Sequence, residues 1–353
     1  MPAVKRRFYI PALDGLRAVA FLLVFFSHCG LDKVIPGGFG VTVFFFLSGY
    51  LITTLLRLEH RSRGSVSLKN FYLHRARRIL PPMYITLALC FLIARFAPVA
   101  EKGSLRGAVS AVFYYFNYLE LAGVPNLLPS GSGVLWSLMI EEHFYFVFPL
   151  IYLVFCRKAL SRHVQASLLA VACLLPLIWR FVLVFQFHTP LTTLPRWTYS
   201  ASDARFDAIL WGCVLAIACN PWFDDAAGIL KRNKGRFAAA GLGVLFLSFV
   251  IRNPAFRETL RYSLQSVALF PVFYFVISTR SHWTNWLEWE PVKQLGQLSY
   301  AAYLIHFTLL SAAFSLFPRG PRLVTAPACF LMTVLYAMLM RRFVERPLRK
   351  LVP

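Results

Sequence analysis

Apolar runs of about 20 residues recur along this chain, separated by short joints of basic, glycine and proline residues. A helix of that length matches the roughly 30 Å hydrocarbon layer of a bilayer. The pattern predicts ten spanning helices, at about 10–29, 38–56, 80–98, 135–156, 164–187, 204–220, 236–252, 263–280, 295–317 and 323–342. The expected fold is therefore all-α, a polytopic membrane bundle of about ten transmembrane helices. No internal repeat is visible, and the longest polar stretch is about 57–79. That leaves no room for an appended soluble domain, so residues 1–353 read as a single transmembrane domain and any chemistry falls to the bundle. Lys5-Arg6-Arg7 ahead of an apolar run has the outline of a signal peptide, but no small-residue cleavage pattern follows. The first helix is expected to be retained.

One apolar segment is ambiguous. "GAVSAVFYYFNYLELAG" (Gly107–Gly123) is short and carries Asn117 and Glu120. If it does not span, the basic stretches Arg57–Arg78, Arg157–Arg162, Lys231–Arg236 and Arg341–Lys350 all fall on the side of Lys5-Arg6-Arg7. If it spans, that bias is lost for most of the chain. The expectation is a re-entrant or interfacial element, with both termini cytoplasmic. Arg257 and Arg261 then fall on the outer side, against the rule.

Composition narrows the reading further. A formal charge of +22 would suit nucleic acid, but in a chain that is 58% hydrophobic it is better explained by cytoplasmic joints and anionic headgroups. No nucleic-acid partner is expected, and the lipid bilayer is. The seven cysteines are scattered through apolar runs without metal-ligand spacing, so neither a disulfide framework nor a metal is expected.

"LDGLRAVAFLLVFFSH" (Leu13–His28) places three ionisable groups in the first span. At ~100° per residue, Arg17 and His28 share one helix face about 16 Å apart, and Asp14 sits one turn before Arg17. Ionisable groups in a span face the bundle interior or a wet cavity. Two readings stand: a functional stripe, or an Asp14–Arg17 pair near the headgroups with a satisfied histidine at the far end.

The second span opens with "GGFGVTVFFFLSGYLI" (Gly37–Ile52). Together with the Arg-x10-His helix before it, this resembles the acyltransferase-3 family of bacterial membrane O-acyltransferases. Further motifs agree in order across nearly the whole chain: "FYLHRARRILPPMY" (Phe71–Tyr84), "WSLMIEEHFYFVFP" (Trp136–Pro149), "RFDAILWGCVLA" (Arg205–Ala216), "LGQLSYAAYLIH" (Leu295–His306) and "VERPLRK" (Val344–Lys350). His143 stands where the family usually has glutamine.

The resemblance implies acyl transfer from a cytoplasmic acyl-CoA, usually acetyl-CoA, as co-substrate, with no permanently bound cofactor and no metal. It also implies that His28 is the essential histidine, either as general base or as an acyl-carrying nucleophile. Arg17 binds the donor, stabilises developing charge, or pairs with Asp14. Arg75 and Arg78, one turn apart, suit the donor's phosphates. Arg57, Arg61, Arg63 and Lys69 are expected to be headgroup anchors. Glu141 and Glu142 are expected at the depth of His28, one orienting it as a triad acid does and the other pairing with an arginine such as Arg205; Ser137 shares the face of Glu141. Arg205 and Asp207 are expected to engage different helices, bracing the bundle or touching substrate. Ser299, Tyr303 and His306 form a stripe that lines an acceptor path or packs helices together.

The expected activity is transfer of an acetyl group to a hydroxyl of an extracytoplasmic carbohydrate, such as a surface polysaccharide or glycolipid, in the bacterial inner membrane. The alternatives are acylation of a small lipophilic molecule such as a macrolide, or a transporter or flippase. Repeated halves with matched broken helices, the pointer to many transporters, are not seen.

Overall fold

The computed structural model describes residues 8–187, 194–224, 228–318 and 322–350. Lys5-Arg6-Arg7 lies outside them. Within these residues the chain is an all-α membrane bundle with no named strand. Its main helices are α1 (Pro11–Phe26), α2 (Gly37–Arg63), α3 (Leu68–Phe96), α4 (Trp136–Arg157) and α5 (Arg162–Gln186). Then come α6 (Phe206–Ala218), α7 (Lys234–Val250), α8 (Leu260–Ser278), α9 (Glu290–Leu316) and α10 (Arg322–Met340).

Eight stretches among the described residues are long and apolar enough to cross a bilayer. The expected spans at 204–220 and 236–252 are helices α6 and α7, of 13 and 17 residues. Gly107–Gly123 is not one helix. It breaks into Leu105–Val112 and Phe116–Leu121, with Tyr114 between them in the left-handed region at φ 63°. Neither piece is long enough to span at 1.5 Å per residue. His143 ties the break down: its Nε2 donates to the Tyr114 carbonyl (2.7 Å), and its Nδ1 accepts from the Ser202 hydroxyl (2.7 Å). Asn117 donates to the Ser200 carbonyl at 3.0 Å, fixing the second piece to the same segment.

Glycines set the closest helix contacts, as close approach inside a membrane requires. A Cβ on Gly296 of α9 would lie 1.7 Å from the Asp14 carbonyl oxygen of α1. Across α2 and α6 the contact is reciprocal. A Cβ on Gly49 would meet the Ile209 carbonyl at 1.9 Å, and one on Gly212 would meet the Phe46 carbonyl at 2.0 Å.

Buried charges are braced by specific partners. Arg180 of α5 is fully buried and pairs with Asp207 of α6 at 2.7 Å. Arg180 also donates to the Thr259 carbonyl (2.9 Å), to Ser263 (2.6 Å) and to the Ala204 carbonyl. Arg205 reaches the Thr42 hydroxyl of α2 at 2.9 Å. Arg205 and Asp207 thus engage different helices, and Asp207 is a brace. Arg205 does not pair with Glu141 or Glu142, contrary to expectation, because the ring of Tyr262 and the α2 hydroxyl occupy its surroundings. Arg57 is not a headgroup anchor either. It is buried, pairs with Asp224 at 2.9 Å, and donates to the Ala216 and Ile217 carbonyls that close α6.

Two stability outcomes follow. Arg180→Met leaves Asp207 buried without its cation, a loss of about 3–5 kcal/mol, and its unfolding midpoint in detergent falls by on the order of 10 °C. Gly212→Val pushes α6 off α2 and costs about 1–3 kcal/mol. A wild-type midpoint in either variant would contradict the packing described.

Candidate functional site

His28 sits just past α1, in a π-helical turn over Ser27–Leu31 where Gly30 adopts φ 93°. Such turns swing a side chain off the regular helical ladder. The ring is stacked on Phe307, with centroids 4.1 Å apart, and lies 5.1 Å from the ring of His306. His28 Nδ1 is 2.9 Å from His306 Nε2, and His306 Nδ1 is 2.7 Å from the Tyr303 carbonyl.

Two neutral rings satisfy this chain in only one way. A carbonyl only accepts, so His306 carries its hydrogen on Nδ1 and donates to Tyr303. Its Nε2 is then an acceptor, so His28 donates from Nδ1. His28 Nε2 is left with an unshared lone pair, as a base requires. His306 therefore takes the orienting place expected of a glutamate. The structure corrects that expectation: Glu141 and Glu142 lie with the arginines, a different part of the bundle from His28.

His28 lines a cavity of about 640 Å³. Trp136 and Tyr199 supply aromatic surface there, while Glu101, Glu120, Asn126 and Arg196 supply polar groups. Burial raises the Glu120 carboxyl above the ordinary carboxylate range; Arg196 opposes this and Glu101 adds to it. Of these groups only Glu120 was visible as unusual in the sequence, because it interrupts an apolar segment. Arg196 and Glu101 arrive from distant joints and had no local signal.

A second, narrower cavity of about 110 Å³ lies toward the Asp14 end of α1. It brings together Arg17, Arg75 and Arg78 from α1 and α3, as their residue types suggested. The Arg75 guanidinium lies over the Tyr145 ring at 4.9 Å. Arg17 pairs with Asp14 at 3.2 Å, and Asp14 also accepts from Tyr9 (3.1 Å) and Gln297 (3.0 Å). Glu141 accepts from Ser48 and from Tyr145, each at 2.9 Å, so the Ser-Gly of α2 serves this carboxylate. Glu142 keeps one buried oxygen without a hydrogen-bond partner.

The two cavities share Val41 and Tyr303 as walls. The Tyr303 and Ser137 hydroxyls are 2.9 Å apart. Ser299 and Tyr303 line the arginine cavity and His306 holds His28, so the stripe on α9 runs from one chamber to the other. No group of three or more histidine, cysteine or acidic residues able to hold a metal occurs among the described residues.

A family model described as an acyltransferase domain matches residues 10–342. The peptidoglycan O-acetyltransferase OatA of Listeria monocytogenes is 30% identical over 98% of this chain and 56% of its own length. The O-acetyltransferase OatA of Staphylococcus aureus is 28% identical over 97% of this chain and 57% of its own length. This chain therefore spans a little over half the length of these relatives. No solved structure matches it. With the family match running from α1 through α10, the chain belongs to the acyltransferase-3 family of membrane acyltransferases.

Proposed function

We propose that this protein is a bacterial inner-membrane O-acetyltransferase that moves an acetyl group from cytoplasmic acetyl-CoA to a hydroxyl of an extracytoplasmic carbohydrate. The observation that carries the reading is the tautomer chain Tyr303–His306–His28, which leaves a basic nitrogen on a residue lining the large cavity. That cavity, with indole and phenol faces beside carboxylates and an amide, has the mixed surface that sugars bind. The relatives' names, peptidoglycan O-acetyltransferase and O-acetyltransferase, point the same way.

The donor's phosphates are assigned to Arg75 and Arg78, with Arg17 deeper in the same cavity. The thioester passes the Val41–Tyr303 partition to reach His28. The acceptor hydroxyl oxygen attacks the thioester carbonyl carbon while its proton moves to His28 Nε2. The carbon–sulfur bond breaks, and coenzyme A leaves as the thiolate, to which the His28 imidazolium passes its proton, regenerating the neutral base. The imidazolium formed in between is held through its Nδ1–H by His306. Both termini are assigned to the cytoplasm; reporter fusions near Leu160 and Arg232 that read extracytoplasmic would reverse this.

The test uses purified protein, labelled acetyl-CoA and an oligosaccharide acceptor. Loss of a general base costs about 10²–10⁴-fold, so His28→Ala reduces acetyl transfer by at least that lower bound. His306→Phe keeps a ring in place but removes the acceptor for His28. It lowers kcat by ~10-fold or more, less than loss of the base itself, and leaves the KM for acetyl-CoA unchanged. Arg75→Ala/Arg78→Ala raises that KM about tenfold with a smaller effect on kcat. If wild type releases no coenzyme A from any acyl donor, yet reconstituted vesicles pass substrate without one, the protein is a transporter and the reading fails.

A further inference from the structure

Three arginines break the charge pattern of the chain. Arg252, Arg257 and Arg261 sit in and just beyond the joint between α7 and α8, which the proposed topology puts on the outer side. Orientation in the membrane does not call for them there. In the structure they line one cavity of about 430 Å³ together with Lys33. Asp32 is the one carboxylate among its walls. The neighbouring Glu258 is buried and accepts from the Thr198 hydroxyl instead.

These cations are not consumed internally. Arg252 and Arg257 are exposed and form no ion pair among the described residues. Arg261 donates from Nη2 to the Tyr262 hydroxyl at 3.0 Å, and its Nε is buried without a partner. Behind the wall lies a further positive charge. Arg205 is fully buried, with Nε and Nη1 unpartnered. Its guanidinium rests 4.1 Å from the ring centroid of Tyr262 and 5.4 Å from that of Tyr199, and both rings line the cavity. The nearby Asp207 is already paired with Arg180, and a cation in low dielectric projects its field much further than one in water.

The cavity adjoins the catalytic chamber: Ser27, Gly37, Gly38 and Tyr199 form part of both walls. Gly38 lets this shared wall pack closely, since a Cβ there would lie 3.1 Å from the Tyr199 ring.

We infer that this basic cavity is a subsite for an anionic group, a phosphate or carboxylate, carried by the acceptor whose hydroxyl is presented to His28. The inference rests on the acetyl-transfer reading for the role of His28, but not for the anion itself. Guanidinium forks suit both oxyanions. The donor's phosphates are assigned to the arginine cavity at the other end of α1, so this second cationic site is left to the acceptor. The acceptor is thus expected to be an acidic glycan or a sugar phosphate rather than a neutral one.

Two measurements test this. The first is binding, by calorimetry in phosphatidylcholine nanodiscs, of N-acetylglucosamine 1-phosphate against N-acetylglucosamine. The sugar phosphate should bind at least ~10-fold more tightly, and Arg252→Gln/Arg257→Gln should remove the difference. Equal binding of the two sugars, or an undiminished preference in the double variant, overturns the proposal. Nanodiscs containing phosphatidylglycerol distinguish the source: if that lipid abolishes binding of the sugar phosphate, the cavity belongs to a headgroup and the acceptor assignment is wrong. The second is acetyl transfer to acidic and uncharged oligosaccharides of equal length. The double variant should raise KM for the acidic acceptor alone, leave kcat unchanged, and be only partly restored by Arg252→Lys/Arg257→Lys, which return the charge without the guanidinium fork. An equal loss with both acceptors overturns the proposal. Absence of transfer in wild type counts against the catalytic reading and leaves the binding result to judge the subsite.

Discussion

The site depends on how closely α1 and α9 approach. Gly296 sets that approach by lying against the Asp14 carbonyl, where any larger residue would collide with backbone. The two helices then run in the same direction from this point, and Gln297, one residue on, donates to the Asp14 carboxylate. About fifteen ångströms further along, His306 arrives opposite His28. Without the glycine contact the rings would not meet, and the hydrogen-bond chain that sets the His28 tautomer would not exist. Phe307 stacks on the ring of His28, so the same helix supplies both the acceptor and the packing that hold the imidazole.

The bundle treats its buried charges in two ways. Asp14, Asp207 and Asp224 each accept from several donors and act as braces: Arg180 ties α5 to α6, and Arg57 ties α2 to the end of α6. Such pairs stabilise only when every partner is present, because a lone buried ion is costly. The second group is cationic and sits among several acids. Arg17, Arg75 and Arg78 surround a cavity also lined by Glu141 and Glu345, with Arg17 paired to Asp14 and Glu141 accepting from two hydroxyls, whereas Arg205 has no acid among its hydrogen-bond partners.

Tyr303 occupies the point where these arrangements meet. Its ring lines both cavities, its hydroxyl meets Ser137, and its carbonyl begins the chain to His28. A displacement of this one side chain would change access between the chambers while its backbone continued to hold His306. The α9 stripe therefore packs helices together through hydrogen bonds and also lines cavity walls.

The sequence alone determined the all-α bundle, because runs long enough to match a bilayer leave little other choice, and it singled out His28, Arg17, Arg75 and Arg78 because ionisable groups in apolar helices need a reason. It also set Gly107–Gly123 apart as a re-entrant or interfacial element, since that choice keeps most of the basic joints on one side, and the structure breaks the segment into two short helices. Helical spacing correctly paired Asp14 with Arg17, a contact within one helix turn, and Ser137 lines the same cavity as Glu141. What it could not supply was which helices become neighbours. The partner of His28 lies 278 residues away in the chain, and a carboxylate was the natural guess from charge alone; Arg57 looked like a headgroup anchor for the same reason. Only the tertiary structure decided these pairings, because they are set by where glycines let backbones touch, and that depends on the shapes of two surfaces rather than on the pattern of either one.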